Sequence, residues 1–225
     1  MKANKALTFL DIGLNTFGLN GVKAMSEALK TNTVLSTLSL RSNKIRQAGA
    51  LALSKALKIN CALSNFDLSN NLIGNTGAQS LSAALKTNKT LTLLNLKDKI
   101  GEEGAQALSD ALKINSTLST LNLWDNSIGD NGAQALSEAL KINSGLTCLT
   151  LCYNSIGDIG ALALSEALQY NSTLTTLDLS SNLINDNGAL ALAEALKASN
   201  TLSTLDLRLE KRNSSTIRGS QDQSR

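Results

Sequence analysis

With 42 % hydrophobic but only 3 % aromatic residues, this 225-residue chain must fill its core with leucine, isoleucine and alanine. It has no histidine, so the commonest general base and the commonest metal ligand are missing, and no apolar run approaches the ~20 residues of a membrane span. The formal net charge of +3 resides entirely in residues 208–225, which hold five basic and two acidic side chains, while residues 1–207 balance at sixteen and sixteen.

The N-terminus, MKANKALTFLDIGLN, turns polar every few residues and lacks the apolar stretch of a secretion signal. Cys61, Cys148 and Cys152 show no metal-ligand spacing. Cys148 and Cys152 on one strand would lie roughly 13 Å apart, beyond disulfide reach. Free thiols suit a reducing compartment, so a soluble cytoplasmic protein is expected.

From Leu7 onward one unit recurs. L-x-x-L-x-L begins at Leu7, Leu35, Leu63, Leu91, Leu118, Leu146, Leu174 and Leu202, every 28 residues except for one interval of 27. Residues 118–145, LSTLNLWDNSIGDNGAQALSEALKINSG, show its parts: a short strand, a turn, a helix and a return. Such a unit cannot bury its apolar face alone and must stack on copies of itself. Positions 1, 4 and 6 point inward, and the polar residues between them point outward. Successive strands joined through helices must run parallel. Helices ~10 Å wide against strands ~4.8 Å apart force curvature, with the sheet inside. The expected fold is therefore α/β: a horseshoe solenoid with a concave parallel sheet and convex helices.

Position 9 carries Asn15, Asn43, Asn71, Asn126, Asn154 and Asn182, a predicted ladder of amides serving buried backbone groups. The helices end in K-x-N, at Asn32, Asn60, Asn88, Asn115 and Asn143, and in Q-Y-N at Asn171. Asparagine there is expected to adopt the left-handed stop conformation. Three of the four N-x-S/T sequons (Asn88, Asn115, Asn171, with Asn213) fall on this structural position. Repeat 4, LNLKDKIGEEGA, is one residue short and lacks the ladder asparagine near Lys99, which predicts a local defect.

Both ends are irregular. KANKAL matches the tail of a preceding repeat, and strand 8 leads into the polar RLEKRNSSTIRGSQDQSR. This divides the chain into a repeat domain, 1–207, with seven full repeats and an eighth strand, and a basic tail, 208–225, expected to be disordered. Either the array is a piece of a longer one or something covers its ends, for which a homodimer is one candidate.

The full pattern, L-x-x-L-x-L-x-x-N-x-I-x-x-x-G-A-x-A-L-x-x-A-L-K-x-N, resembles the ribonuclease-inhibitor-like leucine-rich repeats, a class that includes NOD-like receptor repeat domains and the Ran GTPase-activating protein. The resemblance covers residues 7–207 and implies a non-catalytic horseshoe that binds proteins on its concave face. It also supplies an alternative, a regulator of small GTPases, for which Arg41 is the only suitably placed arginine in the complete repeats.

Positions 7 and 8 vary most among the copies and should face the concavity. They give the candidate contact residues Arg41, Lys97, Asp98, Trp124, Asp125, Cys152 and Tyr153. Trp124 and Tyr153 should project side by side from adjacent strands, and such residues dominate interface hot spots. Asp11, Asp67, Asp98, Asp125, Asp178 and Asp206 against Arg41 and Lys97 predict an acidic inner face. A basic protein or peptide partner is expected, and neither nucleic acid nor membrane. No cofactor, metal or catalytic residue is expected, because no nucleophile–base pair or phosphate loop emerges.

Overall fold

A computed structural model describes residues 4–209. The expected tail begins at its edge, and residues 210–225 lie outside the described part. Strands β1 (Phe9–Asp11), β2 (Thr37–Ser39), β3 (Asn65–Asp67), β4 (Leu93–Asn95), β5 (Thr120–Asn122), β6 (Cys148–Thr150), β7 (Thr176–Asp178) and β8 (Thr204–Asp206) alternate with seven helices. These are α1 (Leu19–Thr31), α2 (Gln47–Leu57), α3 (Gly74–Leu85), α4 (Glu102–Leu112), α5 (Gly129–Leu140), α6 (Asp158–Tyr170) and α7 (Asp186–Ala198). The strands form one parallel sheet in chain order, and each helix packs on the next. Register advances by 28 residues per strand, as in Leu38 opposite Phe66, and by 27 from Leu94 to Leu121. The solenoid read from the leucine spacing is the observed architecture.

The core is a leucine ladder. In repeat 5 Leu118, Leu121 and Leu123 are buried, and Ala133, Leu136, Ala139 and Leu140 of α5 meet them from the helical side. Glycine precedes that alanine because the helix start lies hard against the isoleucine of its own turn. A Cβ on Gly132 would stand 2.5 Å from Ile128 Cγ2.

Two asparagine ladders tie the repeats together. In the first, Asn71 Nδ2 donates to the carbonyls of Leu68 and Ser69 in its own turn and of Leu40 in the preceding one. Its Oδ1 accepts the N–H groups of Asn43 and Ile45. The second runs along the K-x-N edge, where Asn115 Oδ1 accepts from Thr117 and Leu118 and Nδ2 donates to Leu85 and Asn88. These asparagines do not adopt the left-handed conformation expected of them: Asn171 has φ −76° and ψ 128°. Extended backbone suffices because the side chain, rather than a helix-end twist, closes the turn. Asn88, Asn115 and Asn171 are buried with their amide nitrogens engaged, and Asn213 lies outside the described residues.

A third connection was not foreseen. The N-termini of α4, α6 and α7 are capped by side chains of the preceding helix. Asp130 Oδ1 accepts Gly157 and Gly160 N–H, Asp158 Oδ1 accepts Asn185 and Gly188 N–H, and Asn75 Oδ1 accepts Gly101 N–H. Each satisfies donors that a helix start leaves unpaired.

Candidate functional site

Each strand holds only positions 3 to 5 of its repeat, so side-chain alternation ends there and position 7 begins a turn. At position 8 the chain takes the left-handed conformation in Leu14, Ser42, Asn70, Asp125, Tyr153 and Ser181, all non-glycine. This conformation costs such residues about 1–2 kcal/mol each. A strand-to-strand bond holds it in place, since the position-8 N–H donates to the position-7 carbonyl of the next repeat. Ser42 to Ser69, Asn70 to Lys97 and Asp125 to Cys152 are examples.

Repeat 4 omits position 8. Its Asp98 falls at position 9, in the asparagine ladder, and is 3 % exposed. This corrects one expectation, since Asp98 is not a concave contact residue; the ladder asparagine is missing as expected, and Asp98 takes its rung. Asp98 Oδ1 accepts the N–H groups of Asn71 and Leu72, as an amide oxygen would. The other oxygen, Oδ2, has no partner, because a carboxylate cannot donate as the sibling Nδ2 atoms do. Burial raises the Asp98 pKa to about 7 against the lowering effect of the Leu72, Ile73 and Asn71 N–H groups and of Lys99.

The missing position 8 also alters Trp124. No N–H of repeat 4 reaches the Trp124 carbonyl, whereas Arg41, Ser69, Lys97, Cys152, Ser180 and Arg208 each receive that bond. The Trp124 indole is 37 % exposed at the concave surface. Lys97 Nζ sits 3.7 Å from its ring centroid and 3.2 Å from the Asp125 carboxylate. Stacked on the ring and paired with the acid, the lysine holds Trp124 upright. Lys97, Trp124 and Asp125 therefore form one cluster, with half-buried Tyr153 on the next turn.

Cys152 does not join this surface, because it is buried at 5 % exposure. Ser69 and Ser180, also at position 7, are buried too, whereas Arg41 and Trp124 at the same position are exposed. A short side chain there tucks between turns, Arg41 and Trp124 emerge, and Lys97 lies folded over Trp124 with its side chain 13 % exposed. Arg41 stands apart from the Trp124 cluster. It lines a groove of about 350 Å³ over β1–β4 with Phe9, Asp11, Thr37, Asn65, Asp67 and Leu93. Sequence reasoning missed this groove, although Phe9 and Leu93 are apolar at position 3, where Thr37, Thr120, Thr176 and Thr204 are not.

The inner aspartates are more committed than expected. Oδ1 of Asp11, Asp67, Asp178 and Asp206 accepts the N–H two residues on, at Gly13, Ser69, Ser180 and Arg208. The Gly13 N–H holds the Asp11 carboxyl below its usual range, and the Arg208 side chain does so for Asp206. These acids brace the turns first and colour the surface second.

A leucine-rich repeat family model matches residues 3–26, 31–54, 60–82, 115–137, 143–165 and 170–193. The chain belongs to the leucine-rich repeat family. The stretch that this family's model passes over, 83–114, contains the shortened turn of repeat 4. Among solved structures, the leiomodin-1 actin-binding site 2 is similar at 26 % identity over 53 % of this chain and 71 % of that one, with a TM-score of 0.51. The tropomodulin C-terminal domain of Caenorhabditis elegans matches at 15 % identity over 79 % and 92 %, TM-score 0.52. An internalin of Listeria monocytogenes matches at 21 % over 92 % and 62 %, TM-score 0.53. The last two share the leucine-rich repeat fold alone. No curated protein sequence matches the chain. Among the described residues no helix is long and apolar enough to cross a membrane.

Proposed function

We propose that this leucine-rich repeat protein is a non-catalytic interaction module that takes a protein partner on its concave face, centred on Lys97, Trp124, Asp125 and Tyr153. The observation that carries the reading is the exposed Trp124, propped by Lys97 beside a backbone carbonyl that the shortened repeat leaves without its inter-strand bond. The Trp124 carbonyl accepts a long 3.4 Å bond from Asn126 Nδ2 of its own turn and keeps a second lone pair. A rigid aromatic beside it can therefore give a partner both buried area and a directed hydrogen bond. The carboxylates along the strands support binding over catalysis, because they are tied to backbone N–H groups or to a basic side chain. A leiomodin-1 segment described as an actin-binding site favours protein as the class of partner and makes actin the first probe. The 28-residue period with full convex helices supports a ribonuclease-inhibitor-like reading of the repeats. Half-open core residues in the terminal repeats, Leu10, Phe17 and Met25 at one end and Ile184, Leu202 and Leu205 at the other, support self-association as a second mode.

The test is affinity capture followed by titration of any captured protein, and of actin, against wild type and the Trp124→Ala/Tyr153→Ala double variant. A loss of affinity of at least about tenfold is expected. A captured partner that binds the double variant with full affinity refutes the site. Stimulated GTP hydrolysis across a panel of small GTPases, abolished by Arg41→Ala, would instead establish the regulator reading.

A further inference from the structure

The near balance of charge along the repeats conceals a steep division. Residues 4–101 hold twelve Lys and Arg against four Asp and Glu, and residues 102–206 hold three against twelve. The division is sharpest on the edge where helices end. Three residues before the helix-end lysine (of K-x-N, or of Lys197-Ala198-Ser199 in repeat 7), repeats 1, 4, 5 and 7 place Glu27, Asp110, Glu138 and Glu194, each paired with its lysine. Repeats 2 and 3 place Lys55 and Ala83 there. Lys55, Lys58, Lys86 and Lys89 are consequently exposed, and no acid pairs with them among the described residues.

The middle residue of K-x-N, and of Gln169-Tyr170-Asn171 in repeat 6, continues the strip in apolar form. Ile59 is 61 % exposed, and Ile114, Ile142 and Tyr170, in three consecutive repeats, are 58, 64 and 70 % exposed. A soluble surface does not ordinarily align large apolar side chains at one repeat position. The second asparagine ladder fixes their backbone, since Asn115, Asn143 and Asn171 each bond the preceding turn. The row is therefore rigid.

We infer that this helix-end edge, distinct from the concave face, docks one acidic, amphipathic protein segment, with its carboxylates on Lys55, Lys58, Lys86 and Lys89 and its apolar side chains on Ile114, Ile142 and Tyr170. Four steps of ~5–10 Å between repeats give a strip of roughly 20–40 Å, within the reach of one short segment. An anionic bilayer or a nucleic acid fits less well. Glu138, Glu166 and Glu194 stand beside the apolar end and would repel a continuous anionic surface, whereas a segment acidic at one end only avoids them.

The probes are two fluorescein-labelled peptides of sixteen residues, with four glutamates at one end and three leucines at helical spacing at the other, in both chain orders. Anisotropy should show saturable binding of at least one order, weakening steeply with salt. Lys55→Glu/Lys58→Glu and Ile114→Ser/Ile142→Ser should each lower affinity at least about tenfold, and Trp124→Ala should leave it unchanged. All replaced side chains are exposed, and circular dichroism confirms folding. The inference is overturned by no saturable binding, by indifference to the edge variants, by loss in Trp124→Ala, or by phosphatidylserine vesicles or single-stranded DNA binding where the peptides do not.

Discussion

The turn of repeat 4 and the turns of its neighbours solve one problem with different atoms. In repeats 3, 5, 6 and 7 an asparagine offers an acceptor to one turn and donors to the carbonyls of another. Near the end of the ladder, Asn43 of repeat 2 keeps the donors and has its Oδ1 buried without a partner. In repeat 4 Asp98 offers the acceptor and leaves its second oxygen buried without a partner. The same shortening leaves Asn95 Oδ1 unpartnered, although Asn122 at the equivalent position accepts the Trp124 N–H. A repeat array thus tolerates a local loss of bonding when both flanks are regular. The loss falls beside the exposed Trp124, whose carbonyl lacks the inter-strand bond that its counterparts receive.

The comparison can be broken most forcefully by removing a working rung. Asn71→Ala abandons the N–H groups of Asn43 and Ile45 and the carbonyls of Leu40 and Leu68 in a buried site. Chemical denaturation should show a loss of about 5 kcal/mol, since each abandoned group costs roughly 1–3 kcal/mol. Converting repeat 4 to its neighbours, Asp98→Asn, should do the reverse. The raised pKa of about 7 means that the folded chain keeps a proton which the unfolded chain, near 3.8, has released. Wild-type stability from this group therefore falls as pH rises from about 4 to 7 and is lowest above 7. The gap corresponds to at most about 4 kcal/mol. Asp98→Asn should gain most at pH 8 and little at pH 4, and a gain independent of pH would exclude the carboxyl as its source.

Smaller effects sharpen the contrast. Lys97→Ala should release Trp124 and weaken partner binding by about 1 kcal/mol, with stability nearly unchanged, as titration and thermal melts would show. Ser42→Gly, at a left-handed position that repeat 4 lacks, should add up to about 1 kcal/mol of stability. No gain would mean that the hydroxyl contributes as much as the backbone strain removes.

The leucine spacing alone predicted the solenoid, its parallel sheet and its period, because one 28-residue motif repeated eight times leaves few other ways to bury positions 1, 4 and 6. The sequence marks Trp124, Lys97 and Asp125 as variable inner-face residues and sets Trp124 beside Tyr153. The stacking of Lys97 on Trp124 and its pairing with Asp125 depend on side-chain conformations that spacing does not specify. The spacing forward from Leu91 puts Asp98 at position 8 because it crosses a deletion. Counting back from Ile100, the residue equivalent to Ile128, would have put it on the asparagine rung. Cys152 was misassigned because strand alternation was extended past Thr150, where the strand ends. The cross-repeat caps of Asp130 and Asp158 join elements one period apart, and local helix-start rules do not look that far.

The orphaned oxygen of Asp98 also bears on how the array comes apart. In a linear stack, cooperativity depends on the weakest junction between neighbours. Below pH 6, with the carboxyl protonated, repeats 1–7 should melt as one unit. Above pH 8 the junction beneath Asp98 weakens, and repeats 1–3 should separate from repeats 4–7 as independent blocks, with amide exchange at Asn71 and Leu72 outpacing that at the matching Asn126 and Ser127.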